Sequence, residues 1–159
     1  MRYGLLTREG RCGFVSDLTD LLDKQAITET CYRYGIALDS RDWAALADCF
    51  TPDAGAYYTG LPPAVGFRAI EDTCRATLTP LTASQHLIGN VTVTLDGDVA
   101  DCVSYLQAQH VKTGTPGGDN FTIAGRYRDR FVRTDDGWRM QERHLDVMWT
   151  AGNPAVLGA

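Results

Sequence analysis

The sequence has no excess of basic residues and no basic stripe. Its 15 Lys and Arg stand against 20 Asp and Glu over 159 residues, which gives a net charge of −5. Nucleic-acid-binding proteins present a basic patch to the phosphates, so this class is disfavoured. A long apolar run is also absent, and a membrane-spanning helix needs roughly 18 such residues. The sequence therefore predicts neither a nucleic-acid partner nor a membrane partner.

Closely spaced cysteines are missing as well. The five cysteines are scattered, and no two of them stand in a CxxC spacing, which excludes a zinc ribbon or a thioredoxin-type motif. They are Cys12, Cys31, Cys49, Cys74 and Cys102. This pattern predicts reduced cysteines in a cytoplasmic protein. The three histidines, His86, His110 and His144, have no short spacing, so no metal site is predicted.

A cofactor fingerprint is also absent. The Gly- and Pro-rich segment 112–119 lacks the Gly-Lys-Ser/Thr ending of a phosphate-binding loop. We therefore predict a hairpin connection in this segment, and no cofactor for the protein.

Chain length and composition predict one domain. A chain of 159 residues with 44% hydrophobic residues can bury one core and enclose one interior pocket. Residues 1–16 lack the apolar run of a signal peptide and are predicted to be a loose leader. Residues 17–150 form the predicted domain. The Gly, Pro and Ala residues of 151–159 predict a flexible tail.

The first part of the chain has the apolar periodicity of a long helix. Apolar residues recur every three to five positions, which predicts one buried face. They are Leu18, Leu22, Ile27, Cys31, Tyr34 and Leu38. Gly35 lies inside this helix, at a cost of up to about 1 kcal/mol relative to Ala. Its missing side chain could let another element or a ligand come close.

Shorter elements follow this helix. Asp39 or Ser40 is predicted to cap a second helix over 41–50. A short strand is predicted over 54–59, and a third helix over 67–78, which ends before Pro80.

After Pro80 the apolar period changes from about 3.6 to 2, which predicts β-strands. Four long strands joined by hairpins are predicted at 85–95, 99–111, 121–133 and 138–149. Helices segregated from an antiparallel meander are typical of an α+β fold. A curved sheet could pack one face on the helices and line a cavity with the other.

In two of the predicted strands, the alternation of side chains along the strand predicts which residues share a face. On the first strand, His86 and Ile88 are predicted on one face, and Val91, Val93 and Leu95 on the other. On the second strand, the alternate residues from 102 to 110 are predicted to share one face. The arginines of the third strand, Arg126, Arg128, Arg130 and Arg133, are predicted to be solvated.

Several short stretches occur in a characteristic order and spacing. They are Ala26-Ile27, Tyr32-Arg-Tyr34, Ala37-Leu-Asp39-Ser-Arg-Asp42-Trp43, Cys49-Phe-Thr-Pro-Asp-Ala54, Gln85-His-Leu-Ile-Gly-Asn90, Gly125-Arg-Tyr127 and Asp136-Gly-Trp138-Arg139. Together they resemble the SnoaL-like branch of the superfamily named for nuclear transport factor two. The resemblance covers roughly residues 20–153.

The resemblance implies a conical barrel in which a strongly curved, mostly antiparallel sheet wraps around the long N-terminal helix and encloses a pocket. It also implies a homodimer or homotrimer that acts on a small molecule. Family members include cofactor-free dehydratases, a dehydrochlorinase and polyketide cyclases. Their catalytic Asp–His pair falls on Asp39 and His86, pocket tyrosines fall on Tyr34 and Tyr58, and a second pocket histidine falls near His110.

Four further residues are predicted to bind the substrate: Trp43, Leu106, Tyr127 and Trp149. The family patterns also differ from this sequence in places. The tyrosine that precedes the catalytic Asp in one dehydratase is Leu38 here, and the dehydrochlorinase's first-helix lysine is Tyr34. The resemblance therefore does not transfer a substrate.

An Asp–His pair is suited to acid–base chemistry near neutral pH. The carboxylate fixes the tautomer of the ring, and the other ring nitrogen removes a proton from carbon. Such a set can run dehydration, isomerisation or aldol cyclisation, and the sequence does not choose among them. Asp39 as a plain N-cap and His86 as a core histidine remain alternatives. At the level of function, the alternatives are a non-catalytic ligand carrier and an assembly protein.

Overall fold

The computed structural model describes the backbone of residues 10–158 and the side chains of residues 18–158. The helices are α1 (Gly10–Ser40), α2 (Trp43–Ala47), α3 (Phe67–Leu78) and a C-terminal 3₁₀ helix (Pro154–Leu157). The strands are β1 (Phe50–Tyr58), β2 (Ala64–Val65), β3 (Ala83–Asp96), β4 (Val99–Val111), β5 (Asn120–Thr134) and β6 (Gly137–Gly152). Within this part of the chain, no helix has both the length and the apolarity to cross a bilayer.

The strands form one six-stranded sheet in the order β2-β1-β6-β5-β4-β3. β1 and β6 are parallel, and every other neighbouring pair is antiparallel. The sheet is open, with β2 at one edge and β3 at the other, and it curls around α1. The predicted α+β class and mostly antiparallel sheet are confirmed. The third helix and the second long strand also have the predicted bounds, 67–78 and 99–111.

The C-terminal part of α1 packs on the concave face of the sheet. Ile27, Cys31, Tyr34 and Leu38 are at most 2% exposed. Gly35 lies among them, and a Cβ added there would stand 3.3 Å from the backbone oxygen of His86. The missing side chain thus lets β3 come close to α1, as the sequence suggested.

The N-terminal part of α1 differs from the prediction. Leu18, Leu21 and Leu22 are 58–63% exposed, although the periodicity placed Leu18 and Leu22 on the buried face. Periodicity gives the direction of a side chain but not whether a sheet lies opposite it. The predicted leader 1–16 lies partly outside the described residues, and α1 already begins at Gly10.

The second helix is shorter than predicted. α2 is capped by Asp42, whose Oδ1 accepts a hydrogen bond from the backbone nitrogen of Ala45 at 3.0 Å. Asp39 therefore does not cap this helix. β1 starts at Phe50 because this residue pairs with Met140 of β6, and the ladder between them is then irregular up to Gly55.

β3 contains a bulge that the alternation of its residues did not predict. Its pairing with β4 shifts between Gly89 and Thr92, and Asn90 has a φ of +50°. A bulge moves every later side chain to the opposite face. Ile88 and Val91 therefore both pack against the core, as Val93 and Leu95 do, and the predicted separation of these residues is wrong. The predicted face of β4 is confirmed, because alternate residues from Cys102 to His110 are buried.

The C-terminal segment is not the predicted flexible tail. Ala151 and Gly152 belong to β6, and the 3₁₀ helix that follows buries Val156 to 1% exposure. Asn153 holds the segment in place, because its Nδ2 donates hydrogen bonds to the backbone oxygens of Pro116 and Gly118 at 2.9 and 2.7 Å.

Candidate active site

A cavity of about 330 Å³ lies between the concave face of the sheet, α1, α3 and the C-terminal 3₁₀ helix. Its lining is mostly apolar, and no Asp, Glu, Lys or Arg is among the described residues that line it. The polar groups on its wall are those of His86, His110, Tyr34, Tyr58 and Tyr127, with three threonines and Cys74. The cavity therefore suits an uncharged molecule with few polar groups.

Asp39 and His86 meet at the wall of this cavity. Asp39 lies in the last turn of α1, and His86 lies near the start of β3. The imidazole Nδ1 is 2.6 Å from Asp39 Oδ1, and the backbone nitrogen of His86 donates to Oδ2 at 2.7 Å. Because an ionised carboxylate can only accept, Nδ1 carries the proton. In the neutral ring, Nε2 then holds the lone pair and is available to a bound molecule.

The Asp39 carboxylate is ionised at neutral pH. Burial acts to raise its pKa, but hydrogen bonds from the side chain and backbone of His86 and from Ser84 outweigh burial, and the pKa lies below its usual value. The His86 side chain is 6% exposed and that of Asp39 is 25% exposed. A half-buried carboxylate is thus held against a buried ring.

His110 of β4 lies beside His86, with the two ring centroids 5.8 Å apart at nearly right angles. Burial, with the nearby His86 as a second cause, lowers the pKa of His110 from 6.5 to about 4. His110 is therefore neutral at pH 7. Its Nδ1 donates to the backbone oxygen of Phe121 at 3.2 Å, which leaves Nε2 as an acceptor.

Tyr34 of α1 and Tyr58 of β1 bring their hydroxyls together, with Oη atoms 3.3 Å apart. Burial raises the pKa of both phenols well above the usual value. Both hydroxyls therefore keep their protons. One of them donates to the other, and a substrate oxygen that replaced this contact could accept hydrogen bonds from both. Tyr127 of β5 lies edge-on to Tyr34, with ring centroids 5.8 Å apart.

Arg143 and Asp129 form a buried ion pair behind the tyrosines, which the sequence analysis missed. Arg143 Nε and Nη2 donate to the two Asp129 oxygens at 2.8 and 2.6 Å, and both side chains are fully buried. The guanidinium lies between the rings of Tyr34 and Tyr127, 4.0 and 3.9 Å from their centroids. The pairing of β6 with β5 shifts just after Met140, and this irregularity turns Arg143 inward. A shift in register leaves no clear sequence signal.

The predicted substrate-binding residues divide into two groups. Leu106 and Tyr127 line the cavity. Trp43 does not line it, since its ring lies under Arg75, whose guanidinium carbon is 4.6 Å from the centroid. Trp149 is 50% exposed on the outer face of the sheet, because the pairing of β6 with β5 shifts again, between Ala124 and Gly125 of β5. The structure therefore does not bring Trp43 and Trp149 to this cavity.

The other titratable clusters lie away from the cavity. His144 stacks on Tyr57 and pairs with Glu142, Nε2 to Oε1 at 2.8 Å. Cys31, Cys102 and Asp129 lie within 4.8 Å of one another in the core. This group does not fit a metal, because both oxygens of Asp129 already accept hydrogen bonds from a cationic guanidinium. The four cysteines with described side chains are free and buried.

Comparison with known proteins places this fold and cavity in a family. The protein-family model of the SnoaL-like domain matches residues 19–144 of the sequence. The chain belongs to the SnoaL-like family. An uncharacterised protein of Mycobacterium tuberculosis is 30% identical to this SnoaL-like protein over 128 residues, which are 79% of this chain and 86% of that protein. Terrestric acid biosynthesis cluster protein E of Penicillium crustosum is 28% identical over 144 residues, with coverages of 87% and 91%.

Solved structures share the fold. A protein from Kribbella flavida superposes with a TM-score of 0.82 at 26% identity, over 88% of this chain and 99% of that chain. A provisionally assigned scytalone dehydratase from Novosphingobium aromaticivorans gives 0.78 at 24%, over 85% and 90%. A hexachlorocyclohexane dehydrochlorinase from Novosphingobium barchaimii gives 0.77 at 18%, over 86% and 94%. The last two are similar to this SnoaL-like protein in fold alone.

Proposed function

We propose that this SnoaL-like protein is a cofactor-independent acid–base enzyme that acts on a small, uncharged, mostly apolar ring compound. The observation that carries the proposal is the hydrogen bond between Asp39 and His86, a residue that lines a mostly apolar cavity. A neutral imidazole whose tautomer is fixed by a carboxylate is a general base suited to neutral pH.

In the proposed reaction, His86 Nε2 takes a proton from a carbon next to a carbonyl group. The electron pair of the C–H bond moves toward the carbonyl oxygen, which becomes an enolate. Tyr34 and Tyr58 donate hydrogen bonds to that oxygen. The imidazolium, stabilised by the ionised Asp39, then returns the proton to another carbon or to a leaving hydroxyl. Return to carbon gives isomerisation, and return to a leaving hydroxyl gives dehydration.

The cavity supports this substrate class. None of the described residues on its wall is cationic, so a bound carboxylate or phosphate would lose its hydration without gaining a charged partner. A volume of about 330 Å³ suits a molecule of one or two rings. His110, neutral and with Nε2 as an acceptor, can receive a hydrogen bond from a substrate hydroxyl. The names of the Penicillium relative, from a biosynthesis cluster, and of the scytalone dehydratase neighbour agree with this chemistry.

The proposal is tested by deuterium exchange. Neutral ketones of one and two rings, cyclohex-2-enone and 2-tetralone, are incubated with the protein in D₂O, and loss of the α-proton signals is followed by NMR. We expect exchange above the buffer rate with the native protein. Asp39→Asn and His86→Ala should both lose it. Exchange at the native rate in both variants would exclude the mechanism.

The alternative is a non-catalytic ligand-binding protein, since the cavity exists whether or not chemistry occurs in it. The same samples distinguish the two functions. Ketones that raise the melting temperature of the native protein but undergo no exchange would favour ligand binding. Mass spectrometry of the recovered ligand would then show it unchanged.

A further inference from the structure

Arg41 has a backbone conformation that its residue type disfavours. It follows the last residue of α1 with a φ of +60°. Among the described residues, the other non-glycine with positive φ is Asn90, a residue type that tolerates this region. Arg41 has no such tolerance, and strain of this kind persists only where other contacts hold it.

The Arg41 side chain makes those contacts next to Asp39. Its Nε donates to the backbone oxygen of Leu78 at 3.1 Å, at the end of α3. Its Nη1 donates to the backbone oxygens of Leu38 and Asp39 in the last turn of α1. The same Nη1 donates to Ser84 Oγ on β3 at 2.8 Å. One guanidinium therefore joins α1, α3 and β3 where the proposed catalytic pair meets.

Ser84 continues this connection to the carboxylate. Its Oγ accepts from Arg41 and donates to Asp39 Oδ1 at 3.1 Å. Oδ1 is the oxygen that also binds His86 Nδ1. The hydrogen bonds thus run in one direction, from guanidinium to hydroxyl to carboxylate, and the ring donates to the same oxygen from the other side.

We propose that Arg41 and Ser84 are positioning residues, which hold the Asp39 carboxylate in the orientation that fixes the His86 tautomer. The inference rests on the proposed function for its catalytic meaning. The backbone nitrogen of His86 fixes Oδ2 alone, and one contact leaves a carboxylate free to turn about that atom. Asp39 is 25% exposed, so water competes for its other oxygen. The relay from Arg41 keeps Oδ1 on the ring.

Among the described residues, charged and titratable groups reach the His86 ring from a few segments. Asp39 approaches from α1, Arg41 from the segment after α1, and His110 from β4. Tyr34 and Tyr58 share the cavity wall with the ring. Since His110 is neutral at pH 7, the ionised carboxylate and the guanidinium set the local field, and Ser84 links the two.

The test reads the His86 tautomer directly and needs no substrate. Protein labelled with ¹⁵N-histidine has three rings, which are assigned by substituting each in turn, and long-range ¹H–¹⁵N spectra report which nitrogen carries the proton. In the native protein we expect the Nδ1–H tautomer. Ser84→Ala and Arg41→Gln should each raise the share of the Nε2–H tautomer about fivefold to tenfold, the size expected for one lost hydrogen bond.

Four further variants keep the test decisive. Arg41→Lys should restore part of the native tautomer share. The Ser84→Ala/Arg41→Gln double variant should shift it no further than the larger single effect, because both residues act through one contact. Glycine adopts a positive φ without strain, so Arg41→Gly replaces Arg41→Gln in the test if Arg41→Gln does not fold. Arg139→Gln, which removes a half-buried arginine bound to the backbone oxygen of Ala47, is the control for general destabilisation.

The outcomes separate the inference from the proposed function. If Ser84→Ala and Arg41→Gln lower the melting temperature as Arg139→Gln does and leave the His86 spectrum native, the relay is structural and the inference is wrong. If the tautomer shifts but native protein never exchanges ketone protons, the relay stands and the proposed enzyme activity fails. If native protein exchanges ketone protons but the variants show no tautomer shift, the proposed enzyme activity stands and the relay is wrong.

Discussion

Two carboxylate–histidine pairs in this molecule are joined by hydrogen bonds of similar length, through Nδ1 of His86 and through Nε2 of His144. Asp39 and His86 lie 2.6 Å apart, and Glu142 and His144 lie 2.8 Å apart. The first pair is on the concave side of the sheet at the wall of the cavity. The second is on the surface, where His144 stacks on Tyr57 and both side chains are at least a third exposed.

The difference shows that the hydrogen bond between the two groups does not define a site. In water, both groups of the surface pair exchange partners freely, and such exposed pairs contribute little energy. In the cavity, a bound molecule would displace water from the ring and meet Nε2 in a low-dielectric space, where charge interactions are stronger. The surroundings, rather than the pair, favour chemistry at Asp39–His86.

The largest effect should come from substituting the histidine of each pair and measuring ketone exchange. His86→Gln is expected to slow exchange by about 10²–10⁴-fold, the usual contribution of a positioned general base. His144→Gln and Glu142→Gln should stay within about twofold of native, since a solvated pair does not reach the cavity. Equal losses in His86→Gln and His144→Gln would contradict the comparison.

Burial should separate two carboxylate–arginine pairs in the same way. Asp129→Asn leaves the charge of Arg143 without its partner in the core, and breaking such a pair costs about 3–5 kcal/mol in free energy of unfolding. Asp146→Asn, which loses contacts with the exposed Arg126 and Arg128, should unfold at nearly the native denaturant midpoint. Chemical denaturation of both variants measures the difference, and similar midpoints would show that the core tolerates an unpaired guanidinium.

Burial in the core should also make His110 a source of acid sensitivity. In the folded protein the pKa of His110 is about 4, against 6.5 as its ordinary value, so the unfolded chain binds a proton more readily between these pH values. Stability from this residue is present above pH 6.5 and is lost as the pH falls toward 4, by about 3 kcal/mol at most. His110→Gln should flatten the pH dependence of the unfolding free energy in this range. An unchanged slope in His110→Gln would place the acid sensitivity elsewhere.

The parts of the fold that the sequence predicted are those with uninterrupted periodicity. The C-terminal half of α1, the third helix and the whole face of β4 follow one period from end to end, so each side chain direction could be counted. The α+β class followed from the order of these elements. The meeting of Asp39 and His86 was suggested by the family resemblance, because no period links two residues on different elements.

The errors on the long strands share a physical cause, which is the β-bulge. One extra residue in a strand moves all later side chains to the other face. Irregular pairing after Gly89 brought Val91 to the core side, and irregular pairing along β6 turned Arg143 inward and Trp149 outward. Whether a bulge forms depends on how a strand pairs with its neighbour, and the residue pattern of one strand does not contain this information. The exposed Leu18 and Leu22 have a related cause, since a helix can extend past the sheet that covers it.

The smallest effect, and the most local, is expected at Gly35, where α1 and β3 touch. A methyl group there would stand 3.3 Å from the His86 backbone oxygen and from Ile88 Cδ1, so β3 must move by a few tenths of an ångström. Alanine also raises helix propensity by up to about 1 kcal/mol, which offsets the strain. Gly35→Ala should therefore stay close to native stability but slow ketone exchange about tenfold, because the ring is displaced from Asp39. Gly89→Ala, in the same strand with open space around it, is the matched control and should exchange at the native rate. If Gly35→Ala also exchanges at the native rate, the close approach of helix and strand does not set the geometry of the pair.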